Sequence, residues 1–184
     1  MDNKPELLLH ICCAGCGIYA SQLLQQDYEV VLFFYNPNIW PEEEYKRRMA
    51  EAEKIAKQYN LKLIKGEYEH AKWLEAARGH ESDPERGERC LICYKFRLDA
   101  AAAMAKRLNC EYLTTTLTAS PHKNALAINQ IGERTAARNG LKFLNQDFKK
   151  HDGFKKSSVL SHQLGLYRQN YCGCEYSIRV TYIA

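Results

Sequence analysis

Two runs of this chain, Leu7–Ile11 (LLLHI) and Glu29–Tyr35 (EVVLFFY), carry apolar side chains at successive rather than alternating positions. A strand with one wet face alternates. Successive apolar positions call for burial on both faces, which in practice means a parallel sheet covered by helices on each side. The intervening segments fit that reading. Gly17–Gln26 is read as a helix. Pro41–Tyr59 is read as a longer one, with proline in its first turn and Glu42–Glu44 at the positive end of its dipole. Leu61–Lys65 is a third short strand, Tyr68–Ala77 a helix and 79–87 a polar loop. Glu88–Leu108 is an Ala-rich helix, Glu111–Thr116 a β-branched strand and Lys123–Asn139 a helix ended by Gly140. Leu141–Leu144 is a last strand and Ser157–Gln163 a last helix. No repeat, low-complexity tract or linker divides the 184 residues, so 1–184 is expected to form a single α/β domain.

In parallel sheets of this kind ligands bind beyond the carboxyl ends of the strands. The loops after the first, second and fourth strands carry Cys12–Gly17, Asn36-Pro37 and Thr116–His122, so the chemistry is expected on their shared edge. No apolar run approaches the roughly 20 residues that cross a bilayer. The N-terminal residues lack the charge pattern and apolar stretch of a secretory signal, so a cytoplasmic location and no membrane partner are expected.

That location decides how the eight cysteines are read. In a reducing compartment, closely spaced cysteines point to metal ligands or redox centres rather than structural disulfides. Seven fall into three groups: Cys12, Cys13 and Cys16; Cys90 and Cys93; Cys172 and Cys174. Cys110 stands alone and reads as a small buried hydrophobe. Cys90 and Cys93 share one face at a helix N-terminus, where backbone N–H groups stabilise thiolates. Brought together, the first two groups offer four or more thiolates, a set that suits zinc or a cubane cluster. The spacings do not choose between the metals, and a zinc site that only clamps the fold stays open. A chain of this length needs no such clamp, and adjacent Cys12-Cys13 suits a simple tetrahedron poorly.

His10 is read either as a satisfied core histidine or as a site residue. His122 lies on the site edge. Arg89, Arg97 and Arg168 are read as partners of phosphate or carboxylate, or as surface ion pairs. The lysines of 149–156 form a solvated face or an RNA-backbone contact. Tyr167, Tyr171 and Tyr176 flank the last cysteines and either pack or stack a base. The net charge of +4 permits an anionic partner without demanding one.

Taken together, HICCAGC (10–16), FYNPNI (34–39), ERCLICY (88–94), TTTL with SPHK (114–117, 120–123), GLYRQ (165–169) and YCGC (171–174) resemble the epoxyqueuosine reductase QueH family along nearly the whole chain. Gly15 departs from the proline of the family motif and removes no ligand. The resemblance implies a Rossmann-like parallel sheet flanked by helices, similar to the adenine nucleotide alpha hydrolases but without a need for ATP. It implies reductive removal of the epoxide oxygen from epoxyqueuosine in tRNA to give queuosine. It also implies a [4Fe–4S] cluster, with or without a further iron or zinc ion, and an electron donor the sequence does not identify.

On this reading Cys12, Cys13, Cys90 and Cys93 hold the cluster, Cys16 is the substitute ligand, and the partner is a tRNA anticodon stem-loop. Asp147, His122 and Tyr171 are candidates to protonate the leaving oxygen. Cys172 and Cys174 are expected to be a redox-active pair: with only Gly173 between them, a disulfide closes a small ring and is easily reduced. Two other readings compete. An ATP-using tRNA thiolase would want a Ser/Gly-rich phosphate loop where Cys12–Gly17 stands. An RNA-binding module with structural zinc would have no redox chemistry.

Overall fold

A computed structural model describes residues 4–178. Five strands form one parallel sheet in the order β3-β2-β1-β4-β5: β1 (Glu6–Ile11), β2 (Glu29–Phe34), β3 (Lys62–Lys65), β4 (Tyr112–Thr115) and β5 (Lys142–Phe143). Six helices connect and follow them: α1 (Ala14–Leu24), α2 (Glu42–Gln58), α3 (His70–Ala76), α4 (Glu88–Arg107), α5 (Ala125–Arg138) and α6 (Gly153–Gln163).

The alternation of β1 explains the two layers. Leu7, Leu9 and Ile11 face a core shared with Ile18 of α1 and Ile55 of α2. Leu8 faces the opposite core, built with Ala101, Ala102 and Ala105 of α4 and Ala136 of α5. The alanines of α4 let that long helix lie close to the sheet. The whole of β1 from Leu7 to Ile11 is fully buried, as its composition demands.

Element boundaries moved in three informative places. α1 starts at Ala14, three residues before the sequence reading, because the Cys13 sulfur caps it by accepting from Cys16 N at 3.4 Å. Cys16 therefore sits in the first helical turn. α5 starts at Ala125 rather than Lys123, because Asn124 caps it by accepting from Ala127 N at 3.2 Å. That leaves Lys123 on the loop. α6 begins at Gly153 rather than Ser157, after two residues of positive φ, His151 and Asp152.

The order of the sheet fixes the site. From β1 the chain winds outward through β2 and β3, then returns to the other side of β1 for β4 and β5. Loops after β1 and β4 therefore diverge and leave a crevice at the switch point. Among the described residues no helix is long and apolar enough to cross a membrane.

Candidate active site

The crevice is floored by the first cysteine group. β1 ends at Ile11, and Cys12 and Cys13 make the two-residue turn into α1. The sulfurs of Cys12, Cys13 and Cys16 lie within 4.8 Å of one another, and those of Cys12 and Cys13 are 3.9 Å apart. Thr116, just after β4, reads Cys12 twice: its Oγ1 accepts from Cys12 N at 3.2 Å and donates to the Cys12 sulfur at 3.6 Å.

Three thiols this close cannot all ionise. S–H donors from Cys13 and Cys16 hold Cys12 well below the ordinary thiol range, against the cost of its burial. The same contacts push Cys13 up to about 11 and Cys16 well above its usual value. Of the three sulfurs, Cys12 is therefore the one on which a negative charge is most favoured. These donors can hold a metal ion or an iron–sulfur cluster.

The other cysteines come from α4 and from the C-terminal segment. Asp83 caps α4 by accepting from Arg89 N at 2.9 Å, which places Cys90 and Cys93 in the first two turns. The pair divides. Cys90 packs against the apolar cluster of Cys12, Cys13 and Tyr94, whereas Cys93 packs with Cys174, Cys172 and Trp73. Cys90, Cys93, Cys172 and Cys174 together line a tight cavity. It adjoins a groove of about 680 Å³ lined by Cys12, Cys13, Cys16 and Cys172. Cys172 belongs to both. Its thiol is held low, first by the S–H of Cys174 and also by Lys123, while Cys174 is pushed up by the same contact.

The C-terminal segment is held by α2. Buried Arg48 pairs with Glu44 at 2.7 Å, and its two terminal nitrogens donate to the carbonyls of Cys172 at 3.1 Å and Tyr171 at 3.2 Å. Trp40 N donates to the carbonyl of Gly173 at 2.8 Å. Gly173 has φ +110°, and a Cβ there would lie 2.9 Å from Ile39 and 3.0 Å from Arg48, so glycine is required.

The three tyrosines beside the last cysteines are already engaged. Arg47 stacks on Tyr167 at 3.5 Å, Arg48 on Tyr171 at 5.1 Å and Arg89 on Tyr176 at 5.3 Å. Phe154 of α6 also lines the groove and is 43% exposed.

His10 is a satisfied core residue. Its Nε2 lies 3.1 Å from the Tyr35 carbonyl and its Nδ1 2.8 Å from Thr115 Oγ1, so Nε2 carries the proton. Burial, reinforced by the Arg97 charge, lowers its pKa to about 3 and keeps it neutral. Arg89 is structural too: it donates to the carbonyls of His80, Glu81 and Asp83 and stitches the 79–87 loop together.

His122 lines both cavities, and its carbonyl accepts from Arg86 Nε at 2.9 Å. Asp147 pairs with Lys149 at 3.3 Å and lies outside the linings of both. Arg168 lines the groove and donates to Ser158 at 2.7 Å.

Reading the residues in sequence order missed Lys123, Arg48 and Phe154. Lys123 lines both cavities; burial would lower its pKa, but the nearby sulfurs, Cys12 and Cys172 foremost, outweigh that and raise it. Its position in SPHK after the fourth strand was the available signal. Arg48 and Phe154 carry none, because a helix-surface arginine and a lone aromatic look ordinary in a sequence.

Comparison with known proteins places these features. A family model described as "Epoxyqueuosine reductase QueH" matches residues 7–180. Curated proteins of that name include one from Streptococcus pyogenes, 35% identical over 183 residues, covering 96% of this chain and 72% of the relative. Another, from Thermotoga maritima, is 38% identical over 175 residues, covering 94% of this chain and 90% of the relative. Among solved structures, the U34-tRNA thiolase NcsA from Methanococcus maripaludis with its [4Fe–4S] cluster superposes with a TM-score of 0.61 at 14% identity. That match covers 97% of this chain and 63% of the thiolase. A predicted subunit of a tRNA methyltransferase from Methanocaldococcus jannaschii gives 0.54 at 14% identity, covering 83% of this chain and 74% of that one. At that identity these two likenesses concern the fold alone.

Proposed function

This chain belongs to the epoxyqueuosine reductase QueH family and is an oxidoreductase of queuosine biosynthesis; from that premise we propose how its residues carry the reaction. The observation that carries the proposal is the convergence of seven cysteines on two adjoining cavities at the switch point of the sheet. The substrate is epoxyqueuosine in the anticodon stem-loop of a tRNA, seated in the groove.

Cys12, Cys13, Cys90 and Cys93 hold a [4Fe–4S] cluster. Cys16 is the alternative fourth ligand, supported by its place in the triad. Bound there, the cluster would supply single electrons, and a further metal ion beside it would supply Lewis acidity toward the epoxide oxygen.

The rest falls to the chain. Converting an epoxide to an alkene releases one oxygen as water and takes two electrons and two protons. Cys172 and Cys174 furnish that set: two thiols close to one disulfide as epoxide becomes alkene and water. An external electron donor then reopens the disulfide. Of the groups able to hand a proton to the leaving oxygen, His122 has the best position, since it lines the groove. Tyr171 donates its hydroxyl to the Trp40 carbonyl at 2.5 Å, and Asp147 faces Lys149. A tRNA substrate and reduced cysteines both fit a cytoplasmic location.

The test is iron and sulfide analysis of protein reconstituted without oxygen. Serine at Cys12, Cys13, Cys90 or Cys93 is expected to remove most of the cluster. Cys90→Ser with full iron and sulfide would overturn the ligand assignment. A colourless protein that takes up only zinc would overturn the redox reading altogether.

A further inference from the structure

Arg97 is 3% exposed and sits on α4 one turn beyond Cys93, on the same helix face. Its terminal nitrogen donates to Asn36 Oδ1, and Asn36 Nδ2 in turn donates to the carbonyl of Ile11 at 3.0 Å. The guanidinium is thereby fixed to the end of β1, directly before the cysteine turn. Its Nε has no partner, and among the described residues Arg97 takes part in no ion pair. Both cavities include it in their linings.

A buried cation without a counter-charge costs several kcal/mol, and cations so placed are normally matched by carboxylates or by bound anions. Glu85 lines the same two cavities but is exposed, and the buried acidic groups that line them with Arg97 are sulfurs, those of Cys93 and Cys174 in one and of Cys12 and Cys13 in the other. Lys123 differs: it is half-buried on a loop, whereas Arg97 is buried on a helix and held by Asn36.

We propose that Arg97 is a positioning residue for the thiolate-bound centre, an inner counter-charge pinned by Asn36 that raises the reduction potential of the cluster. The inference rests on the cluster reading above. A thiolate-bound cluster is anionic and gains a further negative charge on reduction, so a fixed buried cation favours the reduced form. Removing the cation has the opposite effect.

The experiment is an anaerobic optical redox titration of the reconstituted wild-type protein, Arg97→Gln and Arg97→Lys, with iron and sulfide counted in each. Glutamine retains a donor for Asn36 and loses the charge. Its one-electron reduction constant is expected to fall at least tenfold, a shift of about 59 mV to lower potential. Lysine is expected to stay close to wild type. Asn36→Asp supplies the guanidinium with a carboxylate, and its potential should fall as well; it carries the test if Arg97→Gln does not fold.

An unchanged potential in a cluster-loaded Arg97→Gln protein overturns the assignment and leaves Arg97 a packing residue. A wild-type chain that takes up no cluster overturns the parent reading, and this one with it.

Discussion

Cys12 owes its acidity to geometry that no single residue possesses. The S–H groups of Cys13 and Cys16 lower its thiol against the cost of burial, and the Thr116 hydroxyl donates to the same sulfur at 3.6 Å. The C-terminal pair repeats the arrangement in miniature, with Cys172 low and Cys174 high. If the pair is the two-electron store, Cys172→Ser and Cys174→Ser should each keep a full cluster, complete no more than a single turnover and fail at multiple turnover. Loss of iron from both variants would assign these sulfurs to the metal instead. Phe154 makes a separate prediction. As an exposed groove aromatic it can stack a neighbouring base, a contact worth about 1–3 kcal/mol. Phe154→Ala should therefore raise KM for the tRNA by about 5- to 150-fold with kcat retained. Phe154→Trp should restore it, and equal KM values for all three proteins would exclude stacking.

At the scale of elements, two joints hold the site together. The first is the clamp of α2 on the C-terminal segment through Glu44 and Arg48. Tyr167 adds to it, its hydroxyl within 3.2 Å of Glu44 and its N–H donating to Glu51 at 2.9 Å. Breaking a buried pair by removing one partner costs about 3–5 kcal/mol. Arg48→Ala should lose stability on that scale in urea unfolding, and proteolysis should cut first near 165–175. Cleavage at the same rate and sites as wild type would show that the clamp carries no load. The second joint is the start of α6, where Gly153 packs so closely on the Phe148 carbonyl that a Cβ would overlap it. Gly153→Ala should cost about 1–3 kcal/mol, the range for overpacking, and weaken tRNA binding because α6 forms one wall of the groove. A thermal midpoint unchanged from wild type would refute this.

For the whole molecule, the net charge of +4 says less than its distribution. Lys123 and Arg168 line the groove directly, and Lys155 and Lys156 lie next to Phe154 on exposed positions of α6. Binding of a tRNA anticodon stem-loop should weaken steeply with salt. Each phosphate contact removed, as in Lys156→Gln, should flatten the slope of log K against log salt by about 0.7–0.9. A slope identical to wild type would move the RNA footprint off α6. The free nucleoside, which lacks those phosphates, should turn over poorly; equal turnover would dismiss the stem-loop as the recognised unit.

Several of these features were legible in the residue order. Successive apolar positions in β1 and β2 required a sheet buried on both faces, and the strand–helix alternation made it parallel. Clustering of cysteines after β1 and at the start of α4 announced thiolate chemistry on one edge, because local sequence controls which loop carries which side chain. Tertiary structure alone decided the partners. It sent Cys90 toward the Cys12 triad and Cys93 toward Cys174, although the two are three residues apart on one helix. It turned His10 and Arg89 into internal struts, engaged the faces of Tyr167, Tyr171 and Tyr176, and left Arg97 buried against sulfur with an unpartnered nitrogen. The reason is physical. Periodicity records how much of a residue is buried, whereas charge pairing and hydrogen bonding depend on which distant segment arrives to bury it, and here α2 and the C-terminal segment meet from positions more than a hundred residues apart.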